Sequence, residues 1–185
     1  MANRNRVLIV DDEENMRELL DIVLSNEGYE IETVPNVEDA MDAISRKQFD
    51  LLLTDLRIGA ERNAGMRLLS WVQENAPTIP SIMITAHGSV ETAIEAMKLG
   101  AADYVMKPFK NDEIRLVVAR ALEARDLKRE NVALRKEQAS RGKIDDIVGT
   151  SQPVQELLTM IRRVATLPST VAITGESGTG KELVA

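Results

Sequence analysis

The sequence predicts an open, parallel, doubly wound α/β sheet of five strands, followed by a long helix and an incomplete second α/β segment. Short apolar runs alternate with helical patterns five times within residues 1–124, which is typical of β-α units joined by short loops. The run Asp50–Asp55 shows no polar–apolar alternation, as expected when both faces of a parallel sheet are covered. We therefore expect right-handed crossovers with helices on both faces.

The elements follow one another in a regular order. Apolar and β-branched runs predict strands over Arg6–Asp11, Glu30–Val34, Asp50–Asp55, Ser81–Thr85 and Asp103–Met106. Apolar residues three and four positions apart predict helices over Glu14–Glu27, Val37–Lys47, Met66–Asn75 and Ser89–Leu99, and from Asn111 onward. Gly28 and Gly100 are suited to end two of these helices, and Ser89 and Asn111 are suited to cap two others.

The last helix continues beyond the predicted sheet without proline or glycine until Gly142. Residues at the d, a, d and a positions of a heptad pattern are Leu127, Asn131, Leu134 and Gln138. A buried asparagine at an a position favours a parallel dimer in one register. We interpret residues 125–145 as a linker helix that forms a possible coiled coil, and a solvated helical linker is the alternative.

Composition excludes several classes of protein. The 185 residues include no cysteine and one histidine, which excludes disulfide frameworks, iron–sulfur clusters and thiolate zinc sites. No apolar run has the length of a membrane helix, and the N-terminus does not resemble a signal peptide. Lys and Arg number 23 against 30 Asp and Glu, a net charge of −7, which argues against general nucleic-acid binding by this chain. We expect a cytoplasmic protein with no membrane partner.

Chemically active side chains stand where the predicted strands end. Asp11 and Asp12 follow the first strand, Asp55 ends the third, Thr85 ends the fourth and Lys107 follows the fifth. The carboxyl ends of parallel strands share one edge of the sheet, where ligands bind. Clustered carboxylates suit Mg²⁺, an aspartate can be a nucleophile toward phosphorus, and an ammonium neutralises phosphoryl charge. This pattern predicts a magnesium-dependent phosphoryl-acceptor site.

Four motifs resemble the receiver domain of bacterial two-component response regulators. They are Val-Asp-Asp-Glu (10–13), Leu-Thr-Asp-Leu-Arg (53–57), Ile-Thr-Ala-His-Gly (84–88) and Asp-Tyr-Val-Met-Lys-Pro-Phe (103–109). The resemblance covers roughly residues 5–124. It implies a receiver domain over residues 1–124 with the flavodoxin-like strand order 2-1-3-4-5.

The resemblance also implies roles for the acidic residues. Asp55 is the implied phosphoacceptor, and a sensor histidine kinase is the implied donor. Mg²⁺ would be bound by Asp12, Asp55 and the main-chain carbonyl of Arg57, with Asp11 helping through water. Arg57 and His87 occupy positions where the family tunes the lifetime of the phosphoryl group.

The same resemblance implies a switch next to the phosphoacceptor. Thr85 and Lys107 would contact the phosphoryl group, and the rotamer of Tyr104 would follow Thr85. Pro108 follows the lysine, where the family commonly has a cis peptide bond.

Two departures from the family concern the loop after Asp55. Ile58-Gly59 stands where the family usually has Met-Pro. Gly65 comes ten residues after Asp55, about two later than the family's glycine. We therefore expect a longer loop over residues 59–65 beside an intact pocket.

A glycine-rich loop follows the apolar helix predicted over Pro153–Ala165 and the strand predicted over Thr170–Thr174. Its residues are Gly175, Glu176, Ser177, Gly178, Thr179, Gly180, Lys181 and Glu182. A loop between strand and helix suits phosphate binding by main-chain N–H groups. Together with Ile147-Val-Gly-Thr-Ser, it resembles the P-loop segment of the AAA+ domain in sigma-54-dependent activators of the NtrC type. We expect residues 146–185 to be the N-terminal fragment of that domain, truncated after the P-loop, with ATP bound only in the complete domain.

The leading interpretation is a phosphorylation-dependent response regulator that controls a sigma-54-dependent, transcription-activating ATPase. A homodimer would form through the receiver and the linker helix, whereas sigma-54 RNA polymerase and DNA would be partners only of the full-length parent. The alternatives are an aspartyl-phosphate phosphohydrolase, a stand-alone P-loop ATPase and a flavin-binding module. The phosphohydrolase needs a second aspartate where Arg57 stands, and a flavin needs a Ser/Thr/Gly loop where Asp-Asp-Glu stands. We expect that this chain alone is not an enzyme.

Overall fold

The computed structural model describes residues 5–86, 88–141, 151–165, 170–181 and 184. The chain divides into two compact units, Met1–Leu127 and Lys128–Ala185, and each is described by itself. Gly142, the expected end of the linker helix, and the expected domain boundary at residues 145 and 146 lie outside the described residues.

The first unit contains the alternating strands and helices that the sequence predicts. The strands are β1 (Arg6–Val10), β2 (Glu30–Val34), β3 (Leu51–Asp55), β4 (Ser81–Thr85) and β5 (Asp103–Met106). The helices are α1 (Glu14–Ser25), α2 (Val37–Arg46), α3 (Ala64–Asn75), α4 (Val90–Lys98), α5 (Asn111–Arg141), which continues past this unit, and α6 (Gln152–Val164) in the second unit. The strands are parallel in the order β2-β1-β3-β4-β5, which confirms the predicted fold class.

The strand register positions the functional residues. The paired residues nearest the carboxyl edge are Val10 with Thr54, Asp55 with Ile84, and Thr85 with Met106. Asp11 and Lys107 each follow directly after one of these paired residues. This register therefore places Asp11, Asp55, Thr85 and Lys107 at one edge of the sheet.

Successive residues of the central strands enter opposite helical layers. Ile9 and Leu53 lie in a buried cluster with residues of α1 and α5. Leu8 and Leu52 lie in a second buried cluster with residues of α2 and α3. Met83 lies in a third buried cluster with residues of α3 and α4. Every residue of β3 and β4 is buried, so the absence of alternation in the sequence reflects coverage of both faces.

The helix α3 begins at Ala64, two residues before the predicted start, and its first turn packs directly on the end of β3. Gly65 N donates a hydrogen bond to the main-chain oxygen of Leu56 at 3.0 Å. A Cβ atom on Gly65 would lie 2.1 Å from the main-chain oxygen of Asp55. The first turn of α3 therefore approaches the end of β3 so closely that only glycine fits at position 65.

The strand predicted over Thr170–Thr174 is absent from the structure, where these residues have no regular secondary structure. Val171 and Ile173 are exposed. None of the strand pairings among the described residues includes this run. A β-run becomes a strand only when a neighbour satisfies its N–H and C=O groups, and this requirement explains the difference.

The helix α5 is anchored to the sheet near Arg125, which is buried. The Arg125 guanidinium donates to the main-chain oxygen of Asp50 and to Asn5 Oδ1, both at 3.0 Å. Farther along the helix, Leu127 and Leu134 are 61% and 52% exposed. Within the described part of the chain, no helix has the length and apolar character required to cross a membrane.

Candidate functional site

Asp11, Asp55 and Lys107 meet at the carboxyl edge of the sheet. Lys107 Nζ donates to Asp11 Oδ2 at 2.8 Å and to Asp55 Oδ2 at 2.6 Å. The three side chains are at most 9% exposed. The sheet therefore gathers two carboxylates around one ammonium that comes from a distant part of the chain.

The charges of this group are not balanced. Burial raises the pKa of Asp11, and the hydrogen bond from Lys107 offsets only part of that effect. Burial alone would lower the pKa of Lys107, but its hydrogen bonds to Asp11 and Asp55 outweigh burial and raise it. Burial therefore dominates the pKa of Asp11, whereas the two carboxylates dominate the pKa of Lys107, so the cation is well compensated and Asp11 is not. The site therefore favours additional positive charge.

Main-chain N–H groups orient the same two carboxylates. Asp11 Oδ1 accepts a hydrogen bond from Glu13 N at 2.9 Å, and Asp55 Oδ1 accepts one from Arg57 N at 3.1 Å. In each case the donor lies two residues after the aspartate. The loops that follow β1 and β3 thus hold one oxygen of each carboxylate while Lys107 binds the other.

Arg17 is a supporting residue that the sequence analysis missed. Its Nη1 atom donates to the main-chain oxygens of Asp11 at 2.7 Å and Asp12 at 3.1 Å. Arg17 lies in the first turns of α1, where it faces back toward the loop. An arginine in the first turn of the helix that follows an acidic pair is the sequence signal that would have identified it.

Asp12 has a different hydrogen-bond partner from Asp11 and Asp55. Its Oδ2 atom accepts a hydrogen bond from Gly59 N at 3.0 Å. No group of three or more acidic or histidine side chains able to hold a metal ion occurs among the described residues. The donor chemistry nevertheless fits Mg²⁺, because Asp11 and Asp55 already share one cation and the available ligands are hard oxygen atoms.

The loop after β5 is tied to the end of β4. Thr85 is fully buried, and its main-chain oxygen accepts a hydrogen bond from Lys107 N at 2.8 Å. The peptide bond between Lys107 and Pro108 is cis. Thr85 and Lys107 therefore lie side by side at the carboxyl edge of the sheet.

Tyr104 lies against the start of α4. Its hydroxyl oxygen is 3.2 Å from Thr92 Oγ1, and a Cβ atom on Gly88 would come within 2.5 Å of it. Thr92 forms a capping box with Ser89, and its contact with Tyr104 was not predicted. A serine cap with a hydrogen-bonding residue three positions later is the signal that would have found Thr92. His87 lies outside the described residues.

The glycine-rich loop of the second unit is closed on itself. Lys181 Nζ donates to the main-chain oxygens of Gly175 at 2.9 Å and Glu176 at 2.5 Å. Thr179 Oγ1 also donates to the main-chain oxygen of Glu176, at 2.8 Å. Gly178 and Gly180 have φ angles of 84° and 76°, which glycine adopts without strain. Ser177 belongs to the same turn, and Glu182 lies outside the described residues.

Comparison with known proteins identifies both parts of the chain. The family model for the response regulator receiver domain matches residues 7–119, and the model for the sigma-54 interaction domain matches residues 147–185. The response regulator protein PilR of Pseudomonas aeruginosa is 39% identical over 184 residues, which cover 99% of this chain and 39% of PilR. The chain thus spans about two fifths of the length of that curated relative.

Solved structures agree with the sequence comparisons. The crystal structure of NtrX from Brucella abortus in complex with ADP matches with a TM-score of 0.68 and 40% identity, covering 98% of this chain and 40% of that one. The solution structure of the beryllofluoride-activated NtrC4 receiver domain dimer matches with a TM-score of 0.61 and 34% identity, covering 65% of this chain and 98% of that one. The chain therefore belongs to the response regulators, and its receiver domain followed by a sigma-54 interaction segment is the organisation of NtrC-type activators.

Proposed function

We propose that the first unit accepts a phosphoryl group on Asp55 from the phosphohistidine of a sensor histidine kinase. Mg²⁺ would be held by Asp12, Asp55 and the main-chain carbonyl of Arg57, with Asp11 helping through water. The observation that carries this proposal is the position of Lys107 between Asp11 and Asp55. A fixed cation beside the Asp55 carboxylate in a buried site supports the role of Asp55 as the phosphoacceptor.

The transfer exchanges a phosphorus–nitrogen bond for a phosphorus–oxygen bond. A carboxylate oxygen of Asp55 forms the new bond as the bond to the imidazole nitrogen breaks, and the electron pair of the broken bond leaves with the imidazole. The ammonium of Lys107 balances the negative charge of the phosphoryl oxygens. The N–H of Arg57 holds the Asp55 carboxylate in place. Bound Mg²⁺ supplies additional charge neutralisation.

Phosphorylation changes the contacts between two receiver units. Thr85 and Tyr104 respond to the phosphoryl group and bias a two-state equilibrium at the start of α4. The surface that responds is rich in exposed apolar side chains, which are Val90, Ile94, Met97, Met106 and Leu116. Such a surface favours association with another protein. The dimer formed by the activated NtrC4 receiver supports the choice of a second copy as that partner.

The linker helix extends the dimer beyond the receiver. Leu127 and Leu134 are exposed on a continuous α5. Both side chains are therefore available to pack against a second copy of the helix. Asn131 and Gln138 complete the heptad pattern over residues 125–145. A parallel pairing places both copies of Asn131 in one register.

The dimer controls a sigma-54-dependent, transcription-activating ATPase in the full-length parent. Residues 175–182 contribute the P-loop of that ATPase and bind ATP in the complete domain. Sigma-54 RNA polymerase and DNA are partners of the parent protein. We propose a cytoplasmic location, and we propose that this chain alone does not turn over ATP.

The phosphoacceptor is tested by incubating the chain with acetyl phosphate and MgCl₂ and weighing the intact protein by mass spectrometry. We expect wild type to gain one phosphoryl group that hydroxylamine removes, and Asp55→Asn to gain none. Asp42→Asn is the matched control, because Asp42 is an exposed acid paired with Arg46 on α2. Equal labelling of Asp55→Asn and wild type would overturn the proposal.

The dimer surface is tested by light scattering with and without phosphorylation. Ile94→Asp places a charge in the apolar surface on α4 and is expected to prevent the phosphorylation-dependent increase in mass. Ile22→Asp is the control, because Ile22 is an exposed apolar residue on α1. A mass that is the same in wild type before and after phosphorylation would contradict a switch in dimer contacts.

A further inference from the structure

The loop between β3 and α3 reaches back to the end of β1. Gly59 N donates to Asp12 Oδ2 although the two residues are 47 positions apart. Ile58 and Glu61 form an antiparallel bridge across the turn that contains Gly59. Gly59 has a φ angle of 62°, which lies in the left-handed region. The loop is therefore a tight hairpin whose tip presents an N–H group to Asp12.

Arg67 holds the other side of this hairpin. Its guanidinium donates to both carboxylate oxygens of Glu61, at 3.2 Å and 3.0 Å, and to Glu38 Oε1 at 2.8 Å. Glu38 belongs to α2 and Arg67 to α3. The hairpin is thus fixed to two helices as well as to Asp12, so the position of Gly59 is defined from both sides.

The residue type at position 59 decides whether this contact exists. Proline has no N–H group and holds φ near −65°, so it could make neither the hydrogen bond nor the turn. Glycine supplies both the donor and the positive φ angle. Glycine at position 59 therefore supplies a hydrogen-bond donor directly to the Asp12 carboxylate.

We propose that Gly59 is a positioning residue whose N–H orients the Asp12 carboxylate as a Mg²⁺ ligand, with Arg67 holding the hairpin in place. This proposal rests on the proposed function, because it requires Asp12 to bind Mg²⁺. Carboxylates that bind metals are themselves held by hydrogen bonds, and loss of such a partner lowers metal affinity by about 10- to 100-fold. Mg²⁺ is especially sensitive, because it demands near-ideal ligand geometry.

The experiment is a titration of the chain with MgCl₂ in the absence of any phosphoryl donor. Chemical shifts in ¹H–¹⁵N NMR spectra report the binding of Mg²⁺. Gly59→Pro removes the N–H and is expected to weaken Mg²⁺ binding by about 10- to 100-fold. Gly59→Asn is the matched control, because asparagine keeps the N–H and tolerates a positive φ angle. We expect its Mg²⁺ affinity to stay close to that of wild type.

A second pair of variants leaves both Gly59 and Asp12 intact. Arg67→Met releases the hairpin and is expected to weaken Mg²⁺ binding, though less than Gly59→Pro does. Arg46→Met is its control, because Arg46 is an exposed arginine that pairs with Asp42 within α2. The Gly59 amide of wild type should also exchange with solvent more slowly than the Gly59 amide of Asp12→Ala.

The outcomes separate this proposal from the proposed function. If wild type does not bind Mg²⁺, the proposed function fails and this inference fails with it. If wild type binds Mg²⁺ and Gly59→Pro binds equally well or more tightly, only the role of Gly59 is overturned. If Gly59→Asn loses as much affinity as Gly59→Pro, glycine's freedom rather than its N–H is responsible, and the inference is again overturned. An unchanged affinity in Arg67→Met would remove Arg67 from the proposal.

Discussion

Two lysines at two candidate phosphate sites have opposite surroundings. Lys107 reaches carboxylates 96 and 52 positions away in the chain and is almost fully buried. Lys181 reaches main-chain oxygens six and five positions away within its own loop, through hydrogen bonds that are exposed. A glycine-rich motif therefore shapes its own turn locally, whereas the receiver site exists only because a sheet brings distant strand ends together.

We therefore expect substitutions at tertiary contacts of the first unit to change its free energy of unfolding. Matched substitutions in the second unit should leave the stability of the first unit unchanged. The single tryptophan, Trp71, lies in α3 and packs against a buried cluster of the first unit. Urea unfolding followed by Trp71 fluorescence therefore reports on the first unit. Substitutions in the second unit then serve as matched controls for substitutions in the first.

The largest effect is expected for glycine. Gly65→Ala would place a Cβ atom 2.1 Å from the main-chain oxygen of Asp55, so α3 must shift away from the strand. We expect a loss of about 3 kcal/mol in the free energy of unfolding of the first unit, at the upper end for overpacking. Gly178 lies in the second unit and has no atom within 4 Å of the equivalent position, so Gly178→Ala, although strained at a φ angle of 84°, should leave the Trp71 transition of the first unit unchanged. A loss below about 1 kcal/mol for Gly65→Ala would contradict the close approach.

The next effect concerns the two lysines. Lys107→Met leaves Asp11 and Asp55 without their shared cation and should destabilise the first unit by about 1–3 kcal/mol at neutral pH. Because the pKa of Lys107 is raised above 10.5, its contribution is complete below that pH and is lost only as pH rises through the folded value. Lys181→Met should not change the Trp71 transition. Equal effects of the two substitutions would abolish the distinction between the two sites.

The effect of removing an acid has the opposite sign. The pKa of Asp11 is raised above 3.8, so the stability contributed by its protonated form is complete below pH 3.8 and is lost as pH rises through the folded value. Asp11→Asn should therefore stabilise the magnesium-free first unit at neutral pH, by about 0.5–2 kcal/mol.

The difference between Asp11→Asn and wild type should shrink as pH falls through the raised pKa of Asp11. Urea unfolding at neutral and acidic pH provides the measurement, and Glu176→Gln, in the exposed P-loop, is the control. A less stable Asp11→Asn at neutral pH would show that pairing with Lys107 outweighs burial.

The smallest effect is expected at the start of α4. Thr92→Val removes the side-chain half of the capping box and the contact with Tyr104, at a cost of about 0.5–1 kcal/mol. Thr159 is the counterpart in α6, where its hydroxyl donates to the main-chain oxygen of Gln155. Thr159→Val should have no effect on the Trp71 transition. If Thr92→Val also left the Trp71 transition unchanged, Tyr104 would not be coupled to the helix cap.

Much of the first unit could be predicted because its patterns are local. Apolar runs identified all five strands, and the register then placed Asp11, Asp55, Thr85 and Lys107 at one edge. The strand predicted over Thr170–Thr174 shows the limit of the same reasoning. Its residues have strand-like sequence, but a strand also needs a hydrogen-bonding neighbour, which no pattern within the run reveals.

The sequence by itself determined the alternation of strands and helices, the residues at the strand ends and the family to which the chain belongs. Only the tertiary structure decided that Lys107 binds both Asp11 and Asp55, and that Asp12 is bound by Gly59. The physical reason is that helix and strand patterns depend on neighbours a few residues away. Hydrogen-bond partners in the pocket depend instead on how loops from different strands pack against one another.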